Sequence, residues 1–295
     1  MANLELNKRL VKDVQKSLGF VSNDIDGIVG PKTRSAIASY QTRNNLVVTG
    51  IINQELIESL GCIDTDKSNS VYTINGIKFE NHFLDKDEYI DTEINKNDYL
   101  FLHHTAGWNN PFKTIDDWNK DDRGKIGTEF VIGGQNIKTG DNSYDGRIVK
   151  AFPDGCNAYH LGSTGSQYMN IHSVGIEVCN FGFIKDGKTY VGTPALEEQI
   201  ITLNQAFRGY TQWHKYSYKQ LENLRYLILY IANRDNINVH EGVYQWIKKG
   251  VDNAFAFHKE AYDGKIKGLL FHCNVNKEKF DMFPQQELID MILTL

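Results

Sequence analysis

The sequence predicts two units in series: three short helices over residues 1–62, and an α+β or α/β unit over 96–295 in which helices flank a central mixed β-sheet. Three observations carry this reading. Leu6, Leu10, Val14 and Leu18 recur at every fourth position and stop at Gly19, the stripe of a short amphipathic helix. Asp64-Thr-Asp-Lys-Ser-Asn-Ser then breaks the chain with a polar linker. Beyond it, apolar runs of strand length alternate with helical patterns, which is the arrangement that packs as helices on a sheet.

In Asp24-Ile-Asp26-Gly27-Ile-Val-Gly30-Pro31 the Asp-Gly and Gly-Pro pairs mark a loop. Pro31 suits the first turn of a second helix, whose inner side is Ala36, Ile37 and Tyr40. Thr49-Gly50 turns the chain, Asn53 caps a third helix bearing Leu56, Ile57 and Leu60, and Gly61 closes it. Residues 63–95 form the linker and a lead-in, with a hairpin expected around Asn75-Gly76. Strands are then expected at 99–103, 128–133, 148–152 and 173–179, with a helix near 114–119 and a turn-rich stretch at 134–146. Leu221, Leu224, Leu227, Ile228 and Ile231 predict a core helix over 217–233, and Leu288, Ile289 and Ile292 a final helix over 284–295.

A content of 41% hydrophobic and 12% aromatic residues suffices for packed cores. The net charge of −5 and the absence of a Lys/Arg run argue against nucleic acid as a partner. No apolar segment approaches the roughly 20 residues that span a bilayer, and Met-Ala-Asn-Leu-Glu-Leu-Asn-Lys lacks the apolar centre of a signal peptide. The expectation is therefore a monomer without membrane insertion, kept in a cytoplasm until something releases it. The four cysteines contain no CxxC pair, so neither a disulfide framework nor a thiolate zinc knot is indicated.

The chemistry concentrates where two apolar runs end in histidine: Tyr99-Leu-Phe-Leu-His103-His104 and Gly268-Leu-Leu-Phe-His272, the latter followed by Lys279-Phe-Asp281. Two strand-end histidines and a carboxylate supply three ligands of the kind an open, hydrolytic zinc site uses. Neighbouring strand residues face opposite ways, so only one of His103 and His104 reaches a shared site, and Cys273 is disfavoured beside His272 for the same reason. Glu177, on an otherwise apolar strand, is costly unless it faces a polar cleft, which makes it a candidate proton carrier.

Leu102-His-His-Thr-Ala106, Gly127-Thr-Glu129, Ala158-Tyr-His-Leu-Gly162, Ser173-Val-Gly-Ile-Glu177 and His272…Lys279-x-Asp281 occur in the order seen in zinc-dependent N-acetylmuramoyl-L-alanine amidases of type 2, which this part of the chain resembles. Asp26-Gly27, Gly30, Thr33, Ala36-Ile37 and Tyr40-Gln41 are similar to the signature of the peptidoglycan-binding type 1 domain. The resemblance implies a Zn2+ held by His103, His272 and Asp281. It gives Glu177 and Lys279 catalytic roles and places His160, with His104 and Thr105, on the substrate side. It implies hydrolysis of the bond between N-acetylmuramic acid and L-alanine, and bacterial peptidoglycan as partner. A wall-directed enzyme with no signal peptide resembles a phage endolysin that waits in the host cytoplasm and acts on the cell wall after membrane permeabilisation.

The chain also departs from the family. Thr128-Glu129 stands where many relatives carry a Tyr-His or Ala-His pair, so the choice of general base between Glu129 and Glu177 stays open. The segment of about residues 182–267 is an insertion that serves either as a lid or substrate wall or as packing helices. The rival readings are a non-catalytic muropeptide-recognition protein and a zinc peptidase cutting within the stem peptide.

Overall fold

The computed structural model describes residues 8–44, 46–61, 71–74, 77–91, 97–162 and 166–295. They form two compact units divided within the 68–79 stretch. Leu6, the polar linker and the Asn75-Gly76 turn lie outside the described residues.

The first unit holds α1 (Lys8–Ser17), α2 (Pro31–Arg43) and α3 (Gln54–Leu60). Leu10, Val14, Ile37 and Leu56 are fully buried together, as the spacing requires. Asn53 Oδ1 accepts from the Leu56 amide at 2.9 Å, satisfying a first-turn donor of α3. The loops are closed by two buried glutamines. Gln15 donates to Asp26 Oδ1 at 2.7 Å and accepts from the Gly27 amide at 2.9 Å, and it also reaches Thr33. Gln41 accepts from the amides of Thr49 and Gly50 at 2.9 Å each. Asp26, Gly27 and Thr33 of the recognised signature therefore spend much of their hydrogen bonding on shaping their own loop.

The chain continues as β1 (Val71–Ile74), β2 (Ile77–Asn81), β3 (Ile90–Asp91), β4 (Tyr99–His104), α4 (Pro111–Trp118), β5 (Phe130–Ile132), β6 (Ile148–Lys150), β7 (Cys156–Asn157), α5 (Gln167–Ile171) and β8 (Ser173–Val178). Then come β9 (Phe183–Lys185), β10 (Lys188–Thr189), β11 (Ile200–Phe207), β12 (Tyr210–His214) and the long α6 (Tyr218–Asp235). After α7 (Val243–Lys249), α8 (Val251–Ala254) and α9 (Lys259–Tyr262), the chain returns to the sheet as β13 (Gly268–Phe271), passes directly into α10 (His272–Val275), and ends with α11 (Gln286–Leu293).

The main sheet is ordered β1-β2-β6-β5-β8-β4-β13. β2 runs parallel to β6, β6 antiparallel to β5, and β5, β8, β4 and β13 are mutually parallel, so the sheet is mixed as expected. On one face Val131, Val149 and Ala151 pack on Ile115 of α4, while Tyr99, Phe101 and Leu270 pack on Leu161, Met169 and Ala261. The other face receives α6, which packs on β5 and in turn on α11. Leu224, Leu227, Ile228 and Ile231 of α6 are fully buried, in agreement with the 3.6-residue pattern. The Ser217 side chain accepts from the Gln220 amide while Gln220 accepts from that of Ser217, a reciprocal cap that starts α6.

The inserted segment supplies α6 to α9 and, in addition, a separate antiparallel sheet ordered β10-β9-β12-β11. That second sheet, α5 and the β3–β7 pair are elements the sequence reading does not contain.

Candidate metal centre and active site

β4, β8 and β13 are parallel neighbours, so their carboxyl ends meet at one edge of the sheet, the place where open α/β sheets bind ligands. Register does the rest. Phe271 pairs with Leu102, which brings His272 beside His103, and His103 pairs directly with Glu177.

His103 Nδ1 lies 2.9 Å from His272 Nδ1, and the two nitrogens lie 3.2 and 3.1 Å from Asp281 Oδ2. All three residues are buried, at 2%, 3% and 7% exposure. Two imidazole lone pairs and a carboxylate oxygen brought so close out of water need a proton or a cation between them. Burial drives the His103 imidazole down to about 4, against the opposing influence of Asp281, so a proton is poorly held there at neutral pH. The Asp281 carboxyl, although burial pushes it up, is held well below its ordinary range by His272 and His103. The donor triangle also has the right size. Bonds of about 2.0–2.1 Å in a tetrahedral zinc site put its donor atoms about 3.3 Å apart, close to the edges seen here. Among the described residues this is the one set of three metal-type side chains whose donor atoms converge within 4.8 Å.

Behind His103 runs a hydrogen-bonded chain. His103 Nε2 is 2.9 Å from His160 Nδ1, and His160 Nε2 is 2.7 Å from Ser173 Oγ. With the lone pair of His103 Nδ1 turned to the ligand triangle, its Nε2–H donates to His160, whose own Nε2–H donates to Ser173, an assignment that leaves every partner satisfied. Gly175 makes room for this. A Cβ there would stand 2.7 Å from Thr128 Cγ2 and 3.1 Å from the His160 ring. His160 is fixed from its backbone too, because Asn170 Oδ1 accepts from the amides of His160 and Leu161.

Glu177 is half-buried on the His103 face, and burial, then the nearby Asp281 charge, raise its carboxyl well above the usual range, with Lys279 acting in the opposite sense. A carboxyl raised in this way takes up a proton more readily than an ordinary glutamate. Lys279 is half-buried on the loop that carries Asp281.

The remaining sequence candidates sit elsewhere. His104 is on the opposite face, with Nδ1 2.9 Å from the Tyr216 hydroxyl and its ring against Gly182 and Phe283. Thr105 Oγ1 accepts from the amides of Gly107 and Asn180, both at 3.1 Å, and so pins the turn after β4. Glu129 is gripped by Arg234 of α6 at 2.6 and 3.0 Å, with Lys150 at 3.4 Å, on the side of the sheet that α6 covers. The His160–Ser173 chain escaped the sequence reading; the spacing Ser173, Gly175, Glu177, three alternate residues on one strand face, was its visible trace. In the first unit, a shallow depression beside the Asp-Gly loop is lined by Phe20, Val21, Asp24, Lys32 and Ser35.

A family model described as N-acetylmuramoyl-L-alanine amidase matches residues 93–273, and one described as putative peptidoglycan binding domain matches residues 9–60. No curated protein matches. Among solved structures, the E. coli N-acetylmuramyl-L-alanine amidase AmiD, in complex with the substrate anhydro-N-acetylmuramic acid-L-Ala-D-γ-Glu-L-Lys, is 17% identical, with 75% of this chain and 65% of that one covered and a TM-score of 0.38. A mutant endolysin from Bacillus subtilis is 17% identical over 55% of this chain and 79% of that one, TM-score 0.35. The Staphylococcus aureus hydrolase AmiA with its ligand is 12% identical over 89% and 91%, TM-score 0.34.

Proposed function

Because the chain belongs to the N-acetylmuramoyl-L-alanine amidase family, we propose that it hydrolyses the amide between N-acetylmuramic acid and L-alanine in peptidoglycan, with Zn2+ held by His103, His272 and Asp281. The observation that carries this reading is the buried N, N, O triangle with Glu177 beside it in register. Zinc at such a site acidifies water toward a pKa of about 7 and polarises the scissile carbonyl.

The chain's own residues do the rest. Glu177 takes a proton from the attacking water and delivers it to the leaving amine of L-alanine, so the products are a muramyl carboxylic acid and a free stem peptide. The Lys279 ammonium supports the negative charge that develops on the carbonyl oxygen. His160 and Ser173 hold His103 in one tautomer and one orientation. Glu129 has a structural role, holding α6 to the sheet through Arg234. The first unit, which matches the wall-binding family model, keeps the enzyme at its polymer and raises the local substrate concentration.

We assign the protein to lytic enzymes of the endolysin type on the pairing of these two modules; among the described residues no helix is long and apolar enough to cross a membrane. Mass spectrometry of digested peptidoglycan tests the reaction. Free stem peptides with an L-alanine amino terminus are expected. Cuts between amino acids would give the site to a peptidase, and an unaltered polymer would make the chain a recognition protein.

A further inference from the structure

Asp281 and Lys279 ride on the stretch between α10 and α11, and that stretch has few holds of its own. Asn276 accepts from the Glu278 amide through Oδ1 at 3.0 Å and from the Lys279 amide through its carbonyl at 3.3 Å, and Asp281 O accepts from the Cys273 amide at 3.1 Å. A metal ligand must be fixed to within a few tenths of an ångström, so something else has to place it.

The second sheet does so from the side. Arg208, at the β11–β12 turn, donates from Nη1 to the Lys277 carbonyl at 2.8 Å. Phe280, just before Asp281, meets Phe183 of β9 at 5.9 Å and Tyr210 of β12 at 6.3 Å between ring centroids, and these two rings stack on each other at 3.9 Å. Phe283, just after it, lies between Trp213 and Tyr216, at 4.6 Å and 20° from each. Met282 is fully buried, with Sδ 3.5 Å from the Tyr216 hydroxyl. Apart from the His104 ring, which meets Phe283 edge-on, these aromatic partners of the two phenylalanines come from residues 183–216, so the inserted segment grips the chain on both sides of the ligand.

We propose that the four-stranded sheet is the positioning device for the loop bearing Lys279 and Asp281, with Arg208 as a positioning residue that acts through the Lys277 carbonyl. The sheet is then neither a lid nor inert packing: it substitutes for stiffness the loop lacks, and the metal centre is assembled from two sheets. This inference rests on the reading of His103, His272 and Asp281 as metal ligands.

The test uses the full chain with Arg208→Ala, Arg208→Lys and Phe280→Leu. Amide hydrogen exchange in the metal-free protein reads the loop directly, and competition with a chromogenic chelator reads zinc affinity. Arg208→Ala and Phe280→Leu are expected to speed exchange at 276–283 about tenfold while β4 and β8 keep their protection. Zinc binding should weaken about tenfold, the scale seen when groups that orient a ligand are removed. Arg208→Lys, which can still donate to the carbonyl, should recover most of both. Visible absorption of the Co2+-loaded protein should shift in Arg208→Ala and return in Arg208→Lys, because it follows ligand geometry. Wild-type exchange and affinity in Arg208→Ala overturns the proposal, and so does protection lost equally from β4 and β8. A wild-type chain that binds no zinc would refute the ligand set, while the exchange data on the metal-free protein would still decide whether the sheet holds the loop.

Discussion

His103 and Glu177 stand at the same register position on adjacent parallel strands, so their side chains leave the sheet on one face about 4.8 Å apart at the backbone. The relationship separates metal binding from proton transfer. Glu177→Gln is expected to bind zinc as the wild type does and to lose turnover by about 10²–10⁴-fold, the range of a general base. Metal analysis of the purified variant beside its rate on cell walls checks both halves.

Removal of the metal should abolish activity, and zinc should restore it. At a free zinc concentration of about 100 times Kd, binding stabilises the folded chain by about 2.7 kcal/mol. A thermal scan with and without zinc should therefore show an upward shift in the wild type and none in His272→Ala, which removes one corner of the donor triangle.

Glu129 offers the opposite pattern. Glu129→Gln should keep turnover at temperatures where the chain stays folded. Arg234→Ala should cost about 3–5 kcal/mol in chemical denaturation, because Glu129, at 6% exposure, loses its bidentate partner. A rate loss in Glu129→Gln as large as that of Glu177→Gln would move the proton-transfer role to Glu129.

Acid should weaken the second unit through histidines it buries in neutral form. Burial lowers the His214 imidazole to about 3 and that of His104 to about 4, each from 6.5. The folded values lie below the unfolded ones, so between 6.5 and these values the unfolded chain binds more protons. Their contribution is complete above 6.5 and is lost as pH falls toward 4 and 3, at about 1.4 kcal/mol per pH unit per histidine. His214 Nδ1 accepts from the Phe181 amide at 3.1 Å, a bond that needs the neutral ring. In His214→Gln the loss of unfolding free energy between pH 7 and pH 5 should shrink by about 2 kcal/mol.

The parts of this molecule that local periodicity controls were legible in its residues. Strand alternation put His103 and His104 on opposite faces, and helical spacing marked Leu224, Leu227, Ile228 and Ile231 as core. Position along the third dimension was not. Glu129 breaks alternation: Phe130 pairs with Ile176 on the α6 side, and Glu129 turns to the same side to meet Arg234, a partner 105 residues away. The second sheet was hidden because no residue of Ile200–Phe207 is buried and the strand carries no clean two-residue pattern. The ring of His160 makes its two hydrogen bonds to His103 and Ser173, partners 57 and 13 residues away that no local pattern announces.

The doubled histidine at the end of β4 ties the candidate metal centre to strand register. A one-residue slip of β4 against β13 and β8 would exchange the faces of His103 and His104, turning His103 toward Tyr216 and changing the residue that stands opposite Glu177. A chain in that register would take His103 out of the donor triangle and break its hydrogen bond to His160. Under the proposed function, the native metal centre is thus conditional on correct strand alignment, because only one register sets His103 against His272, His160 and Glu177 together.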